Sequence, residues 1–160
     1  MIVYTSYIAY TDGGCQNTSI YGEGGSAYII LKDDKIIKTA SKGFLNTSNN
    51  RMEILAIMSA VASIPEEAQV TIHSDSQYAI YTLTGRWKAK TNIDLIQKYR
   101  ELAKKRVVSF VWVKGHNGNM YNEMVDELCT QAMDYIVKKN NLPANRFTKR
   151  KPVPKTLFDI

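Results

Sequence analysis

The chain has 160 residues and a formal net charge of +6, from 21 Lys and Arg against 15 Asp and Glu. A hydrophobic content of 44% and a charged content of 22% are typical of a globular domain, which excludes wholesale disorder. No apolar run approaches the roughly 18 residues that a membrane span needs. We therefore expect one domain with a core of its own and no contact with membranes.

The N-terminal sequence and the spacing of the two cysteines indicate a reducing compartment. Residues 1–7 have no basic region ahead of an apolar stretch, so we expect no signal peptide. Cys15 and Cys129 lack the spacing of zinc or redox motifs, which favours two reduced thiols. We expect a cytoplasmic protein.

The basic residues are unevenly distributed. Eight of the 21 lie between Arg86 and Arg106, and seven lie between Lys138 and Lys155. Most of the acids lie elsewhere, so an acidic centre flanked by basic surface is predicted. That arrangement favours a protein that binds a polyanion. The alternative is two solvated basic faces that only keep the protein soluble.

The first 44 residues predict an antiparallel meander. Residues 4–11 are rich in aromatic and β-branched residues and predict a strand that ends at Asp12. Glycines at 22–25 predict a turn, and residues 26–31 a second strand. A turn at Asp33 and Asp34 leads into a third strand that begins at Lys35 and runs toward Phe44.

The rest of the chain alternates helices and strands. Capping residues at 46–50 precede a helical pattern that runs to Pro65, with Glu53 in its first turn. The further predictions are a strand at 69–74, a short helix after Asp75, a helix at 92–105, a strand at 107–113 and a helix at 120–139. This order predicts an α/β fold, a mixed five-stranded sheet with helices on both faces. We expect residues 1–139 to form the domain and residues 140–160 a basic, flexible C-terminal tail.

Four carboxylates are predicted to converge. Strand ends and helix starts on one edge of a sheet form a single crevice, and the acids placed there are Asp12, Glu53, Asp75 and Asp126. Crowded carboxylates repel one another unless cations are bound, and oxygen ligands favour magnesium or manganese. Two such ions, about 3.5–4 Å apart, suit the hydrolysis of a phosphodiester. Taken singly, each acid is more simply a surface residue or a helix cap.

A histidine lies ten residues before Asp126. His116 is flanked by Gly115 and Gly118, which indicates an exposed loop. A histidine on a mobile loop beside a metal site suits a reaction whose product must be released. The alternative is a histidine packed in the core.

Several motifs occur together in a fixed order: YTDGGC at 10–15, NNRME at 49–53, SDSQY at 74–78, VKGH at 113–116 and DEL at 126–128. In this combination the chain resembles the type 1 ribonuclease H family from about residue 4 to residue 135. The resemblance implies the ribonuclease H-like fold and cleavage of the RNA strand of RNA/DNA hybrids with two Mg²⁺ ions, leaving 5′-phosphate and 3′-hydroxyl ends. Asp12, Glu53, Asp75 and Asp126 occupy the positions of the metal-binding acids, and His116 that of a histidine that helps the product to leave. Mn²⁺ is expected to substitute for Mg²⁺.

The resemblance also implies contacts to the substrate. Short polar side chains suit the 2′-hydroxyl groups of a wide, shallow minor groove, and those on the family's motifs are Cys15, Asn17, Asn49, Asn50 and Gln77. The spacing around Asn17 departs from the family pattern. Thr47 or Ser48 fits a phosphate pocket on the DNA strand. The alternative for these residues is capping and turn hydrogen bonding, which we favour for Ser48.

The chain departs from many family members between Tyr78 and Asn92, where most of their basic helix and handle loop is missing. Arg86, Trp87, Lys88 and Lys90 are the remnant that is expected to contact the nucleic acid. Trp87 is alternatively a lid on the core. We expect weaker, more salt-sensitive binding than in relatives that carry the handle.

The C-terminal tail ends in a small apolar peptide. Leu157 and Phe158 resemble the short motifs with which replication proteins hold a sliding clamp, and they predict a docking peptide. The alternative is a tail that docks on its own domain.

Two other functions stay open. One is a nuclease of the same fold with another substrate, such as a resolvase or a domain associated with reverse transcriptase; Asn49, Asn50 and Gln77 speak against a resolvase. The other is a non-catalytic module that binds hybrids, which would have no use for four metal-binding acids. We expect a monomer.

Overall fold

The computed structural model describes residues 3–114 and 118–147. It contains strands β1 (Ser6–Cys15), β2 (Gly24–Lys32), β3 (Lys35–Phe44), β4 (Gln69–Ser74) and β5 (Val107–Trp112), and helices α1 (Asn49–Ala62), α2 (Gln77–Leu83), α3 (Ile93–Ala103) and α4 (Met120–Lys139), followed by a 3-10 turn at Ala144–Arg146. No helix within the described ranges is long and apolar enough to cross a membrane.

The five strands form one sheet in the order β3-β2-β1-β4-β5. The first three are antiparallel, and β4 and β5 run parallel to β1 and to each other. The tight β2–β3 turn is possible because Asp33 and Asp34 adopt φ values of 51° and 63°, the left-handed conformation of a two-residue hairpin turn. The predicted mixed five-stranded sheet is confirmed.

Each face of the sheet has its own apolar layer, because alternate strand residues point in opposite directions. Helices α1, α2 and α3 cover one face, around a cluster that includes Ile57, Ile72 and Ile96. Helix α4 covers the other, where Tyr10, Ile29, Val125 and Cys129 pack together. Helices therefore lie on both faces, as predicted.

Helix α1 is the central helix and carries one of the four predicted acids. Its N-cap is Ser48, whose side chain accepts a hydrogen bond from Arg51 N at 3.2 Å, so the capping role expected for Ser48 is confirmed. Because the helix begins at Asn49, Glu53 lies in its second turn. The prediction that Glu53 lies in the first turn is wrong.

Strand β1 extends farther than its sequence pattern indicates. It continues to Cys15 because its antiparallel pairing with β2 persists through Gly13 and Gly14, although glycines often end strands. Asp12 therefore lies inside a strand, opposite Ala27, and the prediction that it ends the strand is wrong in this respect. The parallel pairing with β4, however, stops at Tyr10.

The segment that follows α4 contacts the domain. Residue Ser19 in the β1–β2 loop forms a β-bridge with Phe147, and Ile20 N donates to Arg146 O at 3.0 Å. Residues 140–147 belong to the range predicted as a flexible tail, and the structure attaches this part to the β1–β2 loop. Residues 148–160 lie outside the described part of the chain.

Candidate active site

Three of the predicted acids meet at one place. Asp12, Glu53 and Asp75 each offer a carboxylate oxygen, and these three atoms lie within 4.8 Å of one another. Asp12 and Glu53 are buried, whereas Asp75 is partly exposed. The cluster thus has a buried floor and a side that solvent reaches.

The register of the sheet brings Asp12 and Asp75 together. In the parallel pairing of β1 with β4, Tyr10 is opposite His73. Asp12 lies two residues after Tyr10, and Asp75 lies two residues after His73. Both acids therefore follow the last residue pair of β1 and β4 by two positions. Asp12 is still within β1 at that point, whereas Asp75 is the first residue after the end of β4.

Glu53 reaches the same point from helix α1. The backbone of Gly13 approaches this helix so closely that a Cβ atom there would lie 2.3 Å from Met52 C and 2.4 Å from Glu53 N. Gly13 N then donates a hydrogen bond to Glu53 Oε1 at 3.0 Å. A glycine is thus required at this position by the contact between strand and helix, not by an unusual backbone angle.

The cluster is electrostatically unfavourable without a cation. Burial, followed by the neighbouring Asp75 and Asp126, raises the pKa of Asp12 from 3.8 to about 8. Burial and the charges of Asp12 and Asp75 likewise raise the pKa of Glu53 well above its ordinary value. A bound cation reverses this penalty, since it favours the ionised form of every carboxylate around it.

The donor set fits a hard divalent cation. All three groups are carboxylates, the ligands preferred by magnesium, manganese and calcium. Glu53 Oε2 is buried and finds no hydrogen-bond donor among the described residues. A buried carboxylate oxygen without a donor is costly, and coordination to a cation would satisfy it.

Asp126 lies beside this cluster. It is the seventh residue of α4, it is exposed, and it is close enough to Asp12 to help raise the pKa of that carboxyl group. Helix α4 therefore presents its acid from the face of the sheet opposite α1. His116 lies outside the described residues, so its predicted place near the acids stays a prediction.

Comparisons with known proteins agree with this geometry. The family model described as RNase H matches residues 4–134. The chain belongs to the ribonuclease H family. Ribonuclease HI of Campylobacter jejuni is 35% identical over 141 residues, covering 82% of this chain and 94% of that protein. Ribonuclease H of Francisella philomiragia is 37% identical over 145 residues, with 82% and 93% covered.

Two solved ribonuclease H structures share the fold. The N-terminal ribonuclease H domain of a Mycobacterium tuberculosis protein, solved as a fusion with maltose-binding protein, gives a TM-score of 0.72 at 19% identity and covers 85% of this chain and 99% of its own. A ribonuclease H1 solved in complex with an RNA/DNA hybrid gives a TM-score of 0.70 at 23% identity, covering 82% and 99%. The predicted fold and family are confirmed.

In this ribonuclease H, two of the residues predicted to read the minor groove, Cys15 and Asn49, lie where β1 ends and α1 begins. Cys15 ends β1, and its backbone N donates to Asn49 Oδ1 at 2.6 Å. Its Sγ donates to Thr47 O at 3.2 Å. These bonds tie the end of β1 to the start of α1 and leave Asn49 exposed.

Three further residues that are predicted to contact the substrate are fully or partly exposed. Asn17 is exposed in the turn after β1, and Asn50 is partly exposed in the first turn of α1. Gln77 is the exposed first residue of α2, whose N-cap is Ser76. Because Ser76 caps the helix, the alternative that Asp75 is merely the N-cap is excluded.

The remnant of the handle forms an aromatic and basic group after α2. Trp87 is 47% exposed and packs edge-on against Tyr81, with ring centroids 4.9 Å apart. The Arg86 guanidinium lies 4.6 Å from the Tyr81 ring, and Lys88 and Lys90 are exposed. Trp87 therefore contacts Tyr81 but leaves about half of its surface in solvent, which does not suit a buried lid.

Trp112 contacts Asp75 but was not among the site residues predicted from the sequence. Its indole Nε1 donates to the backbone carbonyl of Asp75 at 3.2 Å, although the side chain is 51% exposed. Trp112 is paired with Ser74 across β4 and β5, so the pairing of the strands brings it to this carbonyl. An aromatic residue at the end of a predicted strand, just before the VKGH motif, was the available signal.

Proposed function

We propose that the cluster of Asp12, Glu53 and Asp75 is where this ribonuclease H hydrolyses the RNA strand of RNA/DNA hybrids. The observation that carries the proposal is the convergence of three carboxylates within 4.8 Å in a chain of this family. A solved ribonuclease H1 with the same fold contains an RNA/DNA hybrid. Asp126 completes the site from α4, and the expected products carry 5′-phosphate and 3′-hydroxyl ends.

The cofactor in this proposal is Mg²⁺, bound as two ions, with Mn²⁺ as a substitute. Asp12, Glu53, Asp75 and Asp126 would hold them. When bound, the pair activates the attacking water and stabilises the leaving oxygen. The oxygen-only donor set and the unsatisfied Glu53 Oε2 support this assignment.

The chain's own residues prepare the site for that chemistry. Gly13 N–H fixes one oxygen of Glu53, which directs the other toward the cluster. The Trp112 indole fixes the Asp75 carbonyl and so restricts the backbone that carries this acid. Because the pKa of Asp12 is raised to about 8, cation binding near neutral pH releases a proton from the site. His116 is proposed to help the product leave.

The substrate is proposed to lie across the rim of the cluster. The minor groove, where 2′-hydroxyl groups distinguish RNA from DNA, would be contacted by short polar side chains. These are Cys15, Asn17, Asn49, Asn50 and Gln77. Trp87, with Arg86, Lys88 and Lys90, would contact the sugar–phosphate backbone of the DNA strand.

An assay of cleavage tests the function directly. End-labelled RNA/DNA hybrid is incubated with and without Mg²⁺, beside RNA/RNA duplex, single strands and a branched DNA. We expect cutting of the hybrid alone, only with metal, and its loss in Asp75→Asn. The matched control is Asp33→Asn, the same change in an exposed turn, where asparagine also adopts a positive φ.

The outcomes separate the competing functions. Tight binding of hybrid without cutting would make the protein a hybrid-binding module. Cutting of branched DNA would make it a resolvase. Loss of activity in Asp33→Asn as well would show that the effect of Asp75→Asn is not specific to the cluster.

The cell location, oligomeric state and partner also belong to this proposal. We propose a cytoplasmic monomer, because Cys15 and Cys129 lack the spacing of zinc or redox motifs. Leu157 and Phe158, which lie outside the described residues, are proposed to dock on a sliding clamp of the replication machinery. Deletion of residues 154–160 should abolish clamp binding and leave cleavage of short hybrids unchanged; unchanged clamp binding would remove the idea.

A further inference from the structure

The segment after α4 forms a strap across the β1–β2 loop. We call residues 141–147 the C-terminal strap. The chain reverses direction where Asn141 adopts a φ of 50° and Leu142 N donates to Val137 O at 3.0 Å. The strap then ends in the bridge between Phe147 and Ser19, which fixes it to the loop.

A buried ion pair anchors the strap. Arg146 Nε lies 2.5 Å from Glu23 Oε2; the Glu23 side chain is fully buried and the Arg146 side chain is 14% exposed. The second oxygen, Glu23 Oε1, has no hydrogen-bond partner within the described residues. Burial opposes the charge of Glu23, but hydrogen bonds with Ser19 and Arg146 outweigh it and lower the pKa of that carboxyl group. Arg146 is the cation of this pair, and removing one partner of a buried ion pair is far more damaging than removing an exposed one.

The loop held by this ion pair in turn holds the loop before α1. Gln16 N donates to Glu23 O at 2.8 Å and closes the β1–β2 loop. Tyr21 O and Gly22 O then accept hydrogen bonds from Asn46 N at 2.8 Å and Thr47 N at 3.0 Å. Backbone bonds therefore run from the strap to the residue pair that immediately precedes the cap of α1.

This chain of bonds ends at the predicted substrate contacts. Thr47 O accepts from Cys15 Sγ, and Cys15 N donates to Asn49 Oδ1. Asn17 lies within the loop that the strap covers. In contrast, Arg146 contacts Ile20, Glu23, Pro143 and Phe147 within the described residues, and not the acids of the cluster.

We infer that Arg146 is a positioning residue for hybrid binding: paired with Glu23, it fixes the two loops that present Cys15, Asn17 and Asn49 to the minor groove. The inference rests on the proposed function for the role of these three residues. Arg146 would thus influence the affinity for hybrid although it lies 123 residues from Glu23 in the sequence. Because Arg146 acts on the rim and not on the acids, it should influence substrate binding more than the chemical step.

The test compares Arg146→Met with Arg106→Met in the full chain. Both variants remove one positive charge from an arginine that donates to backbone carbonyls. Arg106 lies beyond the end of α3, away from the β1–β2 loop, and donates hydrogen bonds to Ile64 O and Leu102 O. We expect Arg146→Met to raise the KM for hybrid by about 5- to 30-fold with kcat changed less than about 2-fold. Arg106→Met should leave both constants near the wild-type values at a temperature where it stays folded.

Amide hydrogen exchange supplies a readout that does not depend on activity. The amides of Ile20, Asn46 and Thr47 should exchange faster in Arg146→Met than in Arg106→Met, because their acceptors lie on the strap or on the loop beneath it. Arg146→Lys keeps the charge without the planar fork of donors and should give intermediate values of both readouts. If Arg146→Met does not fold, Arg146→Lys against Arg106→Lys makes the same comparison.

Two results would overturn the inference. One is a KM for Arg146→Met equal to that of the Arg106→Met control, whatever the exchange rates show, since the strap would then be purely structural. The other is a fall in kcat with an unchanged KM. Both differ from failure of the proposed function, which would appear as absence of hybrid cleavage by the wild-type protein itself.

Discussion

Gly13 N–H donates to Glu53 Oε1 at 3.0 Å, and this bond joins the strand that carries one buried acid to the helix that carries another. The approach that makes the bond possible leaves no room for a side chain at residue 13, since a Cβ atom would meet backbone atoms of Met52 and Glu53. The packing of α1 on β1 and the geometry of the acidic cluster thus depend on the same contact.

Substitution of Gly13 should therefore damage stability and activity together. Gly13→Ala must push α1 away from β1, and a displacement of about 1 Å at a catalytic group is enough to lower activity by roughly 100-fold. The matched control is Gly14→Ala, where a Cβ atom would lie 3.8 Å from Met133 Sδ and 3.9 Å from Cys129 Sγ, ordinary contact distances. Thermal unfolding and hybrid cleavage of both variants check the prediction, and equal stability of the two would contradict it.

Removing the charge of Asp12 should stabilise the metal-free protein while it abolishes activity. The pKa of Asp12 is about 8 in the folded state against an ordinary 3.8, so between these values the unfolded state binds fewer protons. Stability of the metal-free protein therefore falls as pH rises from about 4 to about 8. At pH 8, Asp12→Asn should raise the melting temperature by about 3–8 °C.

Scanning calorimetry in EDTA at pH 5 and pH 8 measures this effect. The gain from Asp12→Asn should be small at pH 5, which is close to the unfolded-state pKa of 3.8, and larger at pH 8, because the cost of keeping a proton that the unfolded state has lost grows with pH. Added Mg²⁺ should stabilise the wild-type protein at pH 8 and have less effect on the variant. A variant that is less stable than wild type at pH 8 without metal would refute the electrostatic account.

Trp112 should affect the chemical step through Asp75. Trp112→Phe keeps an aromatic ring but removes the indole N–H that binds the Asp75 carbonyl at 3.2 Å. Loss of one such hydrogen bond corresponds to about 1 kcal/mol, so we expect kcat to fall roughly 5-fold with little change in KM. Val111→Ala is the control, a nearby exposed change in the same strand. Wild-type kcat in Trp112→Phe would mean that this bond does not position Asp75.

The remnant of the handle should govern the salt dependence of binding. Trp87→Ala removes an exposed ring and should weaken hybrid binding by about 1–2 kcal/mol. Arg86→Met should lower the slope of log K against log salt by about 1, since one phosphate contact is lost. Lys104→Met, at the far end of α3, removes the same charge and should leave the slope unchanged.

Affinity measured from 50 to 200 mM salt decides this point, with catalysis prevented by EDTA. Because few basic residues replace the handle, binding by the wild-type protein should be weak, and it should fall as salt rises with a slope set by the phosphate contacts that remain. High affinity that is insensitive to salt would contradict the assignment of these residues to phosphate and sugar contacts.

The sequence by itself determined the elements, the family and the acids. Local patterns sufficed for the strands and helices because the alternation of apolar residues and the capping residues act over a few positions. The motifs around Asp12, Glu53 and Asp75 were recognisable because they match, in order and residue type, motifs of the family to which the chain belongs. Even so, the local pattern predicts that β1 ends at Asp12, because the pairing that extends the strand to Cys15 comes from β2.

Only the tertiary structure decided how these pieces meet. The equal offset of Asp12 and Asp75 from the last pair of β1 and β4 follows from sheet register, which is a relation between distant segments. The bond from Trp112 to Asp75 and the ion pair of Arg146 with Glu23 span 37 and 123 residues. No local pattern encodes such contacts, because their partners are selected by packing of the whole domain and not by neighbours in the chain.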